Sequence, residues 1–205
     1  MNLDALMKIE YGLFCLTAKK NNFDNGCIVN TVTQVTLTPC QVAVAVNKCN
    51  YTHDIIKESK DFNISVLTQK TPFSVFKNFG YQSGRNVNKF EDFQIKRSAN
   101  GLAYLADYAN SYMSCAVKEI IDLGTHSLFI AEVTDAQVLN DNPSVSYDYY
   151  LNNIKENLPI ETNSKVAWRC KICGYVYDGD PLPSDFICPI CKHGAIDFEK
   201  IENFE

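Results

Sequence analysis

The sequence predicts a mainly β protein that carries a small metal-binding domain at its C-terminal end. Three observations lead to this prediction: apolar residues alternate in several strand-like runs, helical patterns are few and short, and two Cys-x-x-Cys pairs lie close together near residue 180. An antiparallel barrel with a few appended helices fits the first 150 residues better than a plan in which helices separate parallel strands.

Four runs of β-branched and apolar residues predict the main strands. Residues 41–47 place three valines on one face, and residues 62–68 also alternate. Longer β-branched runs occupy residues 112–121 and 127–139.

Two short helices are predicted between these strands. The first covers residues 52–59, with Thr52 as its N-cap and with Ile55 and Ile56 facing inward. The second begins near Pro72 and ends at Gly80, because proline favours the start of a helix and glycine its end.

The two Cys-x-x-Cys pairs predict a single metal site of four thiolates. The predicted ligands are Cys170, Cys173, Cys188 and Cys191. Fourteen residues separate the pairs, and a domain of this size needs a metal to stay folded. A tetrahedral set of four sulfurs suits zinc or iron, so the ligands alone leave both metals open.

Composition and motifs exclude several classes of function. The chain is 46% hydrophobic and 21% charged, and its net charge of −5 without a basic cluster argues against nucleic acid as a partner. No apolar run is long enough for a membrane span, and the N-terminus does not resemble a signal peptide. Thiolates that hold a metal need a reducing compartment, which predicts a cytoplasmic location. The sequence has no Rossmann, P-loop or nucleophile-elbow motif.

A second candidate site consists of polar residues at the predicted ends of strands and helices. Its members are Asn30, Thr31, Thr33, Thr52, Ser83, Gly84, Arg85, Lys89 and His126. Hydroxyl groups, a helix N-terminus and two cations suit a phosphate-bearing cofactor. Each residue also has a structural interpretation, since a threonine N-cap or a lone histidine is more often structural than functional. From the residues alone, the barrel is predicted only to bind an anion.

The cysteine-rich segment resembles rubredoxin. The runs CKICGYVYDGDPLP and DFICPICK match the rubredoxin pattern in the aromatic pair after the first knuckle and in the Cys-Pro-x-Cys of the second. The stretch between the knuckles is about half the usual length, as in the shortened rubredoxin-like domains of rubrerythrins. This resemblance implies one iron in an Fe(Cys)₄ site, with zinc as the alternative occupant, and implies that Phe186 and Phe198 cover it.

Nearly all of residues 5–150 resemble the flavin reductase family of FMN-binding split β-barrels. Four blocks carry the resemblance: IVNTVTQVTLTPCQVAVAVNK, NYTHDIIKESKDFNISVL, FGYQSGRNVNKF and GTHSLFIAEV. The resemblance implies that FMN lies in a groove between the subunits of a homodimer. It also implies a role for every candidate residue except Thr33: Asn30 and Thr31 bond the flavin, Thr52 receives its phosphate, Lys89 neutralises charge, residues 83–85 shape the pocket, and His126 approaches the flavin.

These resemblances imply three segments and a redox function. The expected segments are a flavin-binding domain at 1–151, a linker at 152–165 and a rubredoxin-like domain at 166–205. The expected function is electron transfer from NAD(P)H through FMN to the iron and on to an acceptor such as a flavodiiron oxygen or nitric oxide reductase. One alternative is a flavin reductase that releases reduced flavin and carries a structural zinc ribbon, and another is a non-catalytic binding module.

Overall fold

The structure is a computed structural model that describes residues 5, 8–156, 166–171, 175–188 and 194–202. The chain divides into two compact units, Met1–Lys155 and Glu156–Glu205. Each unit is described by itself below.

The first unit is built on one antiparallel sheet of seven strands. Its strands are β1 (Phe14–Lys20), β2 (Phe23–Val29), β3 (Thr33–Leu37), β4 (Cys40–Asn47), β5 (Asp61–Leu67), β8 (Ala109–Asp122) and β9 (His126–Val138). Their order in the sheet is β2-β1-β5-β8-β9-β4-β3. A two-stranded sheet of β6 (Lys96–Arg97) and β7 (Ala103–Tyr104) lies in the long connection before β8. The four predicted strands are confirmed, and the fold class is the predicted one.

The alternation read from the sequence sets which face of the sheet is buried. Val42, Val44 and Val46 on β4 are at most 3% exposed, and they pack in one core with Phe62 of β5 and Phe129 of β9. β-Branched and aromatic side chains suit such a half-buried pleated surface. The core therefore lies against one face of the large sheet.

Three helices accompany the sheet: α1 (Tyr51–Ser59), α2 (Phe73–Gly80) and α3 (Tyr147–Tyr149), the last continued by a π-helical turn over Tyr150–Ile154. In α1, Ile55 and Ile56 are buried as predicted. In α2, Pro72 is the N-cap, which confirms the predicted start. The prediction that Thr52 caps α1 is wrong, because Asn50 is the N-cap and Thr52 lies inside the first turn.

The second unit contains a three-stranded antiparallel sheet. Its strands are β10 (Val166–Cys170), β11 (Val176–Tyr177) and β12 (Phe198–Glu202), in the order β11-β10-β12. The ring of Phe186 contacts those of Tyr177 and Phe198, with centroids 4.8 and 5.4 Å apart. Aromatic contacts of this kind supply much of the apolar burial in so small a domain.

The expected linker at 152–165 begins inside the first unit, because helical structure continues through Ile154. Its residues 157–165 lie outside the described part of the chain. Among the helices of the described residues, none is long and apolar enough to cross a membrane.

Candidate functional site

The buried side chain of Asn25 links two of the candidate residues. Asn25 lies on β2 and is 1% exposed, and its Nδ2 donates a hydrogen bond to Thr52 Oγ1 over 3.0 Å. A Cβ added to Gly84 would lie 2.0 Å from Asn25 Oδ1, so only glycine lets the loop approach so closely. These contacts bring Thr52 and Gly84 to the same point on β2.

The Oδ1 atom of Asn25 is buried and has no hydrogen-bond partner among the described residues. Amide oxygen and nitrogen atoms are assigned from their partners, and here the nitrogen is the atom that faces Thr52 Oγ1. A buried unpaired polar atom is costly unless a bound group satisfies it. The Asn25 side chain therefore offers a bound group one buried hydrogen-bonding atom beside the first turn of α1.

Arg85 lies against the same end of α1. Its guanidinium forms an ion pair with Asp54 and stacks over the ring of Tyr51 at 4.7 Å from the centroid. Partial burial tends to raise the pKa of Asp54, but hydrogen bonds from His53 and Arg85 outweigh burial and lower it. The Asp54 carboxylate is thus held charged next to a helix N-terminus, where negative charge is favoured.

The N-terminus of α1 has no side-chain cap. Asn50 makes no capping hydrogen bond with its side chain, and Thr52 Oγ1 accepts from Asn25. Backbone N–H groups in a first turn need a partner, and a phosphate oxygen is a suitable one. Ser83 orders the loop that faces this turn, because its Oγ accepts from the N–H of Arg85 at 3.3 Å.

Lys89 occupies a different position from the one its expected role suggests. Its side chain is 3% exposed, and Nζ donates to the carbonyl oxygens of Gly26 and Phe79 at 2.9 and 3.0 Å. Burial lowers the pKa of Lys89, and it raises the pKa of the neighbouring Cys27 thiol. Lys89 thus fastens the loop after α2 to β2, and its ammonium group is used in bonds to the backbone rather than presented at the surface.

The other predicted residues lie along neighbouring strand ends. Thr31 Oγ1 donates to the carbonyl of Ala45 on β4 at 2.8 Å, whereas the side chains of Asn30 and Thr33 make no hydrogen bond within the described residues. His126 begins β9, and its Nδ1 lies 2.9 Å from Thr125 Oγ1.

The structure therefore joins some of the predicted residues and leaves others apart. Asn25 contacts both Thr52 and Gly84, and Arg85 is joined to the same end of α1 by its ion pair with Asp54. Lys89 lies close by, because it bonds the carbonyl of Gly26, the residue after Asn25 on β2. Sequence reasoning missed Asn25. Its signal was a polar Asp-Asn-Gly run inside a strand whose remaining residues are apolar.

The second unit positions two of the four predicted metal ligands. Cys170 ends β10 and is 1% exposed, and Cys188 is fully buried. Cys170 pairs with Phe198, whose ring contacts Phe186 two residues before Cys188, so the aromatic cluster connects both cysteine segments. Cys173 and Cys191 lie outside the described residues. Buried thiols at these positions fit a thiolate-bound metal, which such small domains need in order to fold.

Two protein-family models match the chain. Residues 6–158 match the flavin reductase like domain, and residues 168–199 match the rubredoxin-like domain of rubrerythrin. The second match confirms the interpretation of the short inter-knuckle stretch as a rubrerythrin-type domain.

Two curated relatives extend this similarity. The high molecular weight rubredoxin of Moorella thermoacetica is 39% identical over 98% of this chain and 100% of its own length. The ferric-chelate reductase (NAD(P)H) of Archaeoglobus fulgidus is 38% identical over 74% of this chain and 90% of its own.

Solved structures show the same fold. The flavin reductase PheA2 is 28% identical with a TM-score of 0.58, covering 67% of this chain and 85% of its own. BorF, the flavin reductase component of a bacterial two-component tryptophan halogenase, has a TM-score of 0.63 at 21% identity, covering 70% of this chain and 89% of its own.

Proposed function

The chain belongs to the flavin reductase-like domain family and ends in a rubredoxin-like domain, and we propose on this basis that it is an electron-transfer oxidoreductase. Its electrons pass from NAD(P)H through FMN to a rubredoxin-type iron centre and on to an external redox protein. The observation that carries the proposal is the match to the Moorella relative, because it covers both units of this chain and the whole of that protein.

FMN, when bound, accepts a hydride as two electrons and can pass them on one at a time, which an Fe(Cys)₄ centre requires. The first turn of α1, with Thr52 and the Gly84 loop beside it, fits the phosphate of this cofactor. The unpaired buried amide atom of Asn25 and the close approach at Gly84 support this assignment. Arg85 supplies positive charge at the rim, although its pairing with Asp54 offsets part of that charge.

The remaining candidate residues would complete the flavin site along the strand ends. Thr31 is held to β4, so its position is fixed by the sheet. Asn30 and Thr33 offer side chains without a hydrogen bond in the described structure, and His126 stands at the start of β9. We propose that these residues contact the flavin, in a site completed by a second copy of the chain in a homodimer.

The four cysteines of the second unit would hold one iron. Burial of Cys170 and Cys188 excludes water from the sulfur atoms, and the rings of Phe186 and Phe198 add apolar cover. Burial and hydrogen bonding around the sulfur atoms set the reduction potential of such a centre. We propose a flavodiiron protein that reduces oxygen or nitric oxide as the acceptor, and a cytoplasmic site of action.

A second candidate function is supported by relatives that match the first unit. The reductase component of a 4-nitrophenol monooxygenase from Rhodococcus opacus is 30% identical over 66% of this chain and 70% of its own length. In this second function the chain would release reduced flavin, and its second unit would be a structural zinc ribbon.

A Cys188→Ser variant separates the two functions. The proposal predicts that the variant oxidises NAD(P)H normally with free FMN as acceptor but no longer reduces a flavodiiron protein. Cys49→Ser, at an exposed cysteine of the first unit, is the control and should retain both reactions. Full transfer to the flavodiiron protein by Cys188→Ser would overturn the relay through iron.

A further inference from the structure

A chain of hydrogen bonds runs from Arg85 to Ser127 through Asp54 and His53 in the first turn of α1. Arg85 pairs with Asp54 Oδ2, Asp54 Oδ1 lies 3.0 Å from His53 Nδ1, and His53 Nε2 lies 2.9 Å from Ser127 Oγ. The two ends belong to different parts of the fold. Arg85 lies in the loop after α2, and Ser127 lies on β9 directly after His126.

The hydrogen-bond partners of His53 define the tautomer of its neutral ring. A carboxylate can only accept, so His53 Nδ1 carries the proton that it donates to Asp54. In the neutral ring Nε2 then accepts from the hydroxyl of Ser127, which fixes both tautomer and orientation. His53 and Ser127 are each 4% exposed, so water does not compete for the hydrogen bond between them.

Packing holds the histidine in this orientation. Its ring meets the edge of Phe129 with centroids 5.5 Å apart, and Phe129 is fully buried in the core. A ring fixed by the core and bonded at both nitrogens transmits a displacement of one partner to the other. The exposed end differs, since Arg85 and Asp54 are each about half exposed and would be mobile without a fixed partner.

We propose that His53, with Asp54 and Ser127, is a positioning residue that couples the loop at residues 83–85 to the start of β9, where His126 lies. The coupling would fix the relative positions of two segments, residues 83–85 and the start of β9, that contribute to the proposed flavin site. Its functional consequence rests on the proposed function, whereas the coupling itself is a property of the flavin-free chain.

Hydrogen exchange in the flavin-free protein tests the coupling directly. The N–H groups of Asn86 and Val87 donate to the carbonyl of Ser83 at 3.0 and 3.2 Å, so they report on the order of this loop. Ser127→Ala removes the hydrogen bond between Ser127 and His53 and changes no residue of the loop. We expect exchange at these two amides to rise about 2- to 10-fold, the effect of one lost hydrogen bond.

Ser114→Ala is the matched control. Ser114 is fully buried on β8, and its Oγ has no partner among the described residues. The substitution therefore removes a buried hydroxyl and leaves the hydrogen bonds from Arg85 to Ser127 in place. We expect no change at residues 86 and 87. The amide of Gly101, bonded to the carbonyl of Ser98 at 2.9 Å, serves as a reference that only a general loosening of the fold would affect.

His53→Phe provides a second test, because it keeps the ring contact with Phe129 and removes both hydrogen bonds of the histidine. It should raise exchange at the loop at least as much as Ser127→Ala. Unchanged exchange at residues 86 and 87 in both variants would overturn the coupling, as would an equal rise at Gly101.

FMN titration, followed by quenching of flavin fluorescence, tests the consequence separately. Ser127→Ala should raise the Kd for FMN about 2- to 10-fold, and Ser114→Ala should leave it unchanged. If the unmodified chain binds no FMN, the proposed function fails, and the exchange result still decides the coupling. If it binds FMN and exchange is unchanged, the coupling fails alone.

Discussion

The side chain of Asn25 donates to Thr52 Oγ1 over 3.0 Å, and this contact ties β2 to the first turn of α1. The other polar atom of the Asn25 amide has no partner among the described residues. The phosphate site that we propose is thus built on a buried pair of polar side chains, and we expect both the stability and the flavin affinity of the first unit to depend on it.

Replacing Thr52 by valine tests this pair. The variant keeps the shape of the side chain but leaves the Asn25 amide without its partner, which should cost about 1–3 kcal/mol of unfolding free energy. We expect FMN binding to weaken about tenfold, as one charge-assisted hydrogen bond is lost, with metal content unchanged.

Thr134→Val is the control for Thr52→Val. Thr134 Oγ1 donates to the carbonyl of Ser114 at 3.1 Å, outside the candidate flavin site. Urea denaturation and FMN titration of both variants give the comparison. An unchanged FMN affinity in Thr52→Val would remove Thr52 from the site.

Gly84→Ala should damage the site through sterics alone. The added Cβ would lie 2.0 Å from Asn25 Oδ1, so either the loop or Asn25 must move. Overpacking of this kind costs about 1–3 kcal/mol, and FMN affinity should fall with it. Gly80→Ala is the control, since its Cβ would meet Ile28 at 3.5 Å, an ordinary contact. Equal stability and affinity in the two variants would show that the close approach at Gly84 does not matter.

Asp54 should make the first unit sensitive to acid. Its partial burial raises the pKa, but hydrogen bonds from His53 and Arg85 lower it below the ordinary value of 3.8. A carboxylate whose pKa is lower in the folded state stabilises the fold above its unfolded pKa, and this stabilisation is lost as the pH falls through the folded pKa. The stability advantage of the unmodified protein over Asp54→Asn should be constant from pH 7 to about pH 5 and shrink below about pH 4.

Urea denaturation between pH 7 and pH 3 measures that advantage. Asp61→Asn, at the exposed start of β5, is the control for removing one negative charge. An advantage that stays constant to pH 3 would show that the Asp54 contacts do not favour its charged form.

Metal removal should unfold the second unit and spare the first. Trp168 is the single tryptophan of the chain and lies on β10, where its Nε1 donates to Asp180 at 3.2 Å. Its fluorescence therefore reports on the second unit alone. On metal removal we expect its emission to shift to that of exposed tryptophan, because a domain of this size does not fold without a metal, while FMN affinity stays within about twofold. Native tryptophan emission in the metal-free protein would contradict this expectation.

The strands could be predicted because they depend on local pattern, as the alternating valines of β4 show. The tetrathiolate site is a prediction from the spacing of two Cys-x-x-Cys pairs, and the structure describes two of its four cysteines, both of them buried. The sequence places the N-cap of α1 at Thr52, two residues after the observed Asn50, since threonine is a good N-cap and nothing local shows that Thr52 is instead bonded to Asn25 on a distant strand.

The roles of Lys89 and His53 could not be predicted for the same reason. A lysine in a polar run is normally solvated, and only the tertiary fold brings Gly26 and Phe79 to its ammonium group. His53 bonds a serine 74 residues away. Partners at such separations leave no periodic or spacing signal in a single sequence.

The central claim is that one chain passes electrons from NAD(P)H through a flavin to a thiolate-bound iron. The most direct test is a visible absorption spectrum of aerobically purified protein before and after anaerobic addition of NADH, with metal analysis of the same sample. We predict flavin bands together with thiolate-to-iron charge-transfer bands, both of which bleach on addition of NADH. Flavin bands alone, with zinc in protein made under iron-replete conditions, would contradict this prediction.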